Sequence, residues 1–140
     1  MSRADLVVFK QGQPVAVVEA KARPVSPPFQ QAVLRQLRTF ATHTGSRWSI
    51  LVDPDRMAIF RGTDMTQPWV SLSTREVLLP SSISRSGVVG ERVLLEAVDR
   101  WLHDLPTQPE TLQQHPALRD FVKDLSDGIT TSSEVQRKRD

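Results

Sequence analysis

The 140-residue chain contains no cysteine, which excludes disulfides and thiolate metal sites. It has no run of 18 apolar residues, so a membrane-spanning helix is excluded. The first residues carry no apolar segment with a cleavage site, and a cytoplasmic protein is expected. No Gly-rich phosphate loop, nucleophile elbow or zinc motif occurs. His43, His103 and His115 are far apart and lack ligand spacing. Ten prolines lie largely in connections, among them Pro24, Pro54, Pro80 and Pro106, which favours short elements over a long bundle. Hydrophobic content of 39% and charged content of 24% are ordinary for a single globular domain. The net charge is only +2, yet Lys10, Lys21, Arg23, Arg35, Arg38, Arg47, Arg56 and Arg61 all fall in the first half. That distribution suits a surface that tracks phosphates, and on charge alone it suits ordinary solvated arginines equally well.

What is present begins with a hairpin. Leu6 to Phe9 and Val15 to Val18 are apolar, β-branched-rich runs on either side of a Gly-containing turn. With Gln11 to Gln13 as a three-residue loop, Lys10 faces Pro14, Val7 faces Val17, and Asp5 stands opposite Glu19. Lys21 then shares a face with Glu19. A two-residue loop would shift the register and send Asp5 and Glu19 to opposite faces. Two like charges across a strand pair are destabilising unless something cationic sits between them, and a divalent metal beside a lysine meets that need. The plainer alternative is that Asp5 caps the strand entrance and Lys21 is an exposed strand-end charge.

Further along, Phe29, Val33, Leu37, Phe40 and Ala41 recur at helical spacing between Pro28 and about Thr42, with Gly45 just beyond. Gln36 lies in or beside that stripe, where a polar side chain needs a partner. Trp48–Val52 and Met57–Arg61 flank an Asp53-Pro54-Asp55 turn and read as a second hairpin. Gln67–Leu72 reads as a short strand, and Ser73-Thr74-Arg75-Glu76 has the spacing of a capping box. Ser81–Gly87 reads as a polar linker. Arg92–Leu105 and Ala117–Leu125 have amphipathic helical patterns. Residues 1–80 are thus expected to form the core, 81–126 to add C-terminal helices to the same domain, and 127–140 to be a polar, disordered tail. Trp48, Trp69 and Trp101 are expected as core or interface anchors. The element order predicts an α/β fold with a mixed sheet flanked by helices.

Arg3-Ala4-Asp5, Glu19-Ala20-Lys21 and Gln36-Leu37-Arg38-Thr39-Phe40, in this order and context, resemble the PD-(D/E)XK nuclease superfamily of the restriction-endonuclease-like fold. The likeness is to the branch with a Gln-x-x-x-Tyr helix, which includes RecB-type nuclease domains and the N-terminal domains of type I restriction motor subunits. It covers residues 3 to about 62. Ala4 stands where that family carries proline, and Phe40 where it carries tyrosine. A family helix before the first motif strand also has no counterpart in Met1–Ala4. A later helix such as Arg92–Leu105 could take its place, a partner could, or the chain could be a shortened relative. A sheet face left bare would favour a homodimer.

The resemblance implies a metal-dependent nuclease acting on nucleic acid, with DNA the expected substrate. Asp5, Glu19 and the backbone carbonyl of Ala20 would hold Mg2+ or Mn2+. Lys21 would either deprotonate the attacking water or stabilise the phosphorane charge. Gln36 would bond the water or a phosphate oxygen, and Arg23, Arg35 or Arg38 would hold the nucleic-acid backbone. A rival reading keeps the fold without the chemistry, as a binding or assembly module or a subunit of a larger defence or repair complex. The residues do not distinguish strandedness or internal from terminal cutting.

Overall fold

The computed structural model describes residues 5–62, 65–78, 90–107, 113–125 and 129–133. Strands β1 (Leu6–Lys10) and β2 (Gln13–Ala20) form the first hairpin, and helix α1 (Pro27–Thr44) follows. Strands β3 (Trp48–Val52) and β4 (Arg56–Arg61) form the second hairpin, and β5 (Val70–Ser73) runs straight into the short helix α2 (Thr74–Val77). Helix α3 (Glu91–Asp104) ends in a 3-10 turn, and α4 (Leu118–Leu125) precedes β6 (Ile129–Ser133). The expected mixed α/β architecture is present. Six strands form one sheet in the order β5-β4-β3-β2-β1-β6, and every pair is antiparallel except β2 with β3. A parallel pair needs a crossover, and α1 supplies it.

Period-2 alternation sends the strand residues to two cores. Val7, Val17, Leu51, Ala58 and Phe60 pack beneath Leu37 and Ala41 of α1. Leu6, Val8, Val18, Ile50 and Ile59 pack on the opposite face with Leu94, Val98 and Leu102 of α3 and Phe121 of α4. The face whose exposure would have favoured a homodimer is therefore covered within the chain. Trp48 and Trp101 are core residues as expected, whereas Trp69 is 41% exposed.

The first hairpin closes differently from the expected three-residue loop. Gln11 and Gly12 make a two-residue turn with φ of 54° and 77°, and Lys10 pairs with Gln13. Left-handed values at both central positions match the twist of a tight hairpin, and glycine adopts them without strain. Such a turn alone would have put Asp5 and Glu19 on opposite faces. A β-bulge corrects it: Phe9 pairs with Pro14 but Val8 pairs with Ala16, so Val15 is an extra residue on β2. Val7 then faces Val17 and Leu6 faces Val18, the register expected at the motif end.

One other difference concerns the expected tail. Residues 129–133, expected within a disordered tail, form β6 and pair along the whole of β1. Ile129 is buried at one end of this otherwise Thr/Ser strand, and the Thr131 hydroxyl donates to Asp99 of α3 at 2.8 Å. The predicted linker 81–87, residues 1–4 and residues 134–140 lie outside the described residues. The capping box is present, with the Ser73 hydroxyl accepting from the Glu76 N–H at 3.4 Å. Among the described residues no helix is long and apolar enough to cross a membrane.

Candidate functional site

Asp5, Glu19 and Lys21 meet at the open end of the first hairpin. The Asp5 N–H donates to the Val18 carbonyl at 2.9 Å, which holds the chain against β2 one residue before β1 begins. From there the Asp5 side chain reaches along β2, and its Oδ2 accepts from the Ala20 N–H at 2.9 Å. Glu19 is the penultimate residue of β2 and pairs in register with Leu51 of β3. It therefore points to the α1 side of the sheet, with Val17 and Leu51. Lys21 follows immediately, anchored by its N–H to the Val52 carbonyl at 2.9 Å. Its Nζ lies 3.2 Å from Glu19 Oε2, with the lysine side chain 34% and the glutamate side chain 13% exposed.

The electrostatics follow from this crowding. Burial pushes the Glu19 carboxyl up from its ordinary 4.5 to about 7. The neighbouring Asp5 carboxylate pushes in the same direction, and the Lys21 ammonium pulls against both. A partly buried carboxylate pair of this kind accommodates a cation readily, because a positive charge between the two oxygens offsets both the burial and the repulsion. The donors are hard oxygens, which fit Mg2+ or Mn2+ better than softer metals. Among the described residues no group of three or more His, Cys, Asp or Glu converges. An ion held here would thus rely on two carboxylates, a backbone carbonyl and several waters, a set that suits Mg2+.

The remaining expected residues are not gathered with these three. Gln36 is exposed, and its side chain makes no hydrogen bond with another described residue. The sheet-facing positions of α1 belong instead to Val33, Leu34, Leu37, Phe40 and Ala41, and Gln36 sits one residue outside that stripe. Arg23 is exposed in the loop between Lys21 and α1. Arg35 and Arg38 are exposed on α1 and line a groove against β4, away from β1 and β2.

Two features escaped the sequence reading. Arg56 joins Arg35 and Arg38 in that groove, although nothing in its position after a turn marks it out. Asp53, read as a turn residue, is also a clamp. Its Oδ1 accepts from the Asp55 and Arg56 N–H groups at 2.8 and 2.9 Å, and its Oδ2 accepts from the Val25 N–H at 3.1 Å. The turn signal accounts for the first two bonds. The third spans 28 residues and has no local signature.

No protein-family model, curated protein or solved structure matches the chain.

Proposed function

We propose that the chain is a metal-dependent nuclease that hydrolyses phosphodiester bonds, with DNA as substrate, through a PD-(D/E)XK-type site on a restriction-endonuclease-like scaffold. The observation that carries this reading is the convergence of Asp5, Glu19 and Lys21 at one strand end, with Glu19 raised to about 7. Perturbed carboxylates beside a lysine are a recurrent mark of reactive sites. Asp5, Glu19 and the Ala20 carbonyl would hold Mg2+ or Mn2+, which when bound polarises the phosphate and acidifies a water. The water oxygen attacks phosphorus, the bond to the leaving sugar oxygen breaks, and a phosphomonoester and a hydroxyl result.

Lys21 supplies the chain's own positive charge to this centre. Its ion pair with Glu19 fixes the ammonium beside the carboxylates while a third of the side chain stays open to an incoming phosphate. Lys21→Arg separates its two roles: arginine keeps the charge but cannot act as a base near neutral pH. Retained cleavage in that variant assigns Lys21 to charge stabilisation, and lost cleavage assigns it to proton removal. Gln36, exposed on α1, contributes little to this reading. The cytoplasm, where DNA and Mg2+ are both at hand, is the setting it implies, with a second copy or a motor subunit delivering the substrate.

The test is a cleavage assay on supercoiled, linear duplex and single-stranded DNA with Mg2+ or Mn2+, against EDTA and a Lys21→Ala control. Metal-dependent cutting that the variant loses is the expected result. Cutting that persists in Lys21→Ala removes the site from consideration.

A non-catalytic assembly or nucleic-acid-binding module is the second reading, and a specific observation favours it. Lys21 already pairs with Glu19 and the Ala20 N–H already bonds Asp5, so the cluster can simply close the hairpin mouth. Thermal unfolding with and without Mn2+ separates the two. Stabilisation of the wild type but not of Glu19→Ala supports the enzyme, and no metal effect supports the module.

A further inference from the structure

The groove between α1 and β4 has a volume of about 590 Å3. Its cationic lining is Arg35 and Arg38 from α1 and Arg56 from β4. None of these three guanidinium groups has a carboxylate partner among the described residues, whereas Arg47 and Arg61 pair with Asp124 and Asp120. Arg35 and Arg38 stand three apart on one helix, so their side chains rise from neighbouring points on its surface. Three unpaired like charges facing one groove repel each other unless an anion lies among them. We propose that this groove binds a single nucleic-acid strand through its phosphates.

Several features fit that ligand. Guanidinium groups bind phosphate oxygens in bidentate fashion. The apolar part of the lining, Leu34, Met65 and Pro68, offers surface for sugars and bases once the phosphates are held. The groove also leads somewhere. Pro27, Gln30 and Arg56 are shared with a second cleft of about 300 Å3, lined further by Leu51 and Asp53. Leu51 is the register partner of Glu19, so the second cleft ends one strand away from the carboxylate site, whose residues do not themselves line it. Two carboxylates line this cleft: that of Asp53 is engaged by three backbone N–H groups, whereas Asp55 is a negative charge that a passing strand would have to skirt. Binding in the groove stands on its own, whereas delivery to Glu19 rests on the nuclease reading.

The measurement is fluorescence anisotropy of a labelled oligo-dT with the full chain in EDTA, over a range of salt concentrations. The expected result is that Arg35→Ala/Arg38→Ala/Arg56→Ala weakens binding at least about tenfold and flattens the log–log salt slope by about 2, as three lost phosphate contacts require. Arg92→Ala, on the opposite face of the sheet, leaves affinity unchanged. Should the triple variant fail to fold, Arg38→Glu alone carries the test, with an expected loss of about threefold or more. Unchanged affinity in these variants, or no wild-type binding, overturns the proposal. Equal or tighter binding of a duplex of the same length overturns the single-strand assignment, and displacement by ATP at matched phosphate concentration overturns an extended ligand. Tight binding in EDTA without any cleavage in Mg2+ sinks the nuclease reading alone and leaves the groove assigned.

Discussion

Glu19 and Asp53 stand at the same end of the sheet, at the ends of the two strands that run parallel, and their surroundings differ. Asp53 lies just past β3 and receives N–H groups from Val25, Asp55 and Arg56. Its backbone carbonyl accepts the Thr74 hydroxyl at 2.8 Å. It ties the loop before α1, the β3–β4 turn and the start of α2 into one unit. Glu19, next to last on β2, receives no backbone N–H among the described residues, and its partners are the side chains of Lys21 and Asp5. One carboxylate is satisfied by fixed backbone dipoles and serves the fold. The other is partly buried beside a like charge and serves the fold poorly. A group held at such a cost is where chemistry is to be sought.

The largest effect separates the two by activity. Glu19→Ala and Lys21→Ala should each lower metal-dependent cleavage by about a hundredfold or more while circular dichroism stays native. Asp53→Ala should do the reverse. It should lower stability by about 1–3 kcal/mol in urea denaturation, through the loss of three backbone hydrogen bonds to a charged acceptor, and cleavage should change only as far as the folded fraction does. If Asp53→Ala abolishes cleavage in a folded protein, the contrast between the two carboxylates fails.

The pH dependence of stability sharpens the same contrast. The folded Glu19 holds its proton to about 7, whereas the unfolded chain loses it near 4.5. Between those values the folded state binds more protons, so stability falls as pH rises. Its contribution is fully present below 4.5 and gone above about 7. Glu19→Gln removes this titration. The stability difference between wild type and variant should therefore shift against the wild type between pH 4 and pH 8, by on the order of 3 kcal/mol at most. A flat difference across that range would mean that Glu19 is not held at a cost.

How much of this was legible in the residues depends on the range over which each feature is encoded. The strands β3 and β4, the turn at Asp53 and the capping box at Ser73 are local, and they lie within a residue or two of where pattern and turn chemistry put them. The meeting of Asp5 with Glu19 was also legible, but by a different route. The expected loop length was wrong, and the bulge at Val15 compensated, because only one register buries Val7 and Val17 on the α1 side and Leu6 and Val18 on the other. Strand β6 was not legible. Ile129-Thr130-Thr131-Ser132-Ser133 is polar and lacks alternation, and it becomes a strand because the free edge of β1 supplies its partner. The arginine groove was legible only in part, since Arg35 and Arg38 share a helix but Arg56 joins them through tertiary structure.

The smallest expected effect belongs to Gln36. The resemblance implies that Gln36 bonds the attacking water or a phosphate oxygen, so that Gln36→Ala weakens cleavage. The apolar stripe argues against it. Leu37 is 1% exposed and occupies the position over Val17 and Leu51, which turns Gln36 about 100° away around the helix. An exposed side chain with no partner contributes little to stability, so Gln36→Ala should stay within about 0.5 kcal/mol of the wild type. Cleavage should remain within about twofold, measured under the conditions that report Lys21→Ala as inactive. A tenfold loss would show that the substrate itself draws on this flank of α1, and the reacting centre would then extend from the hairpin mouth to the helix.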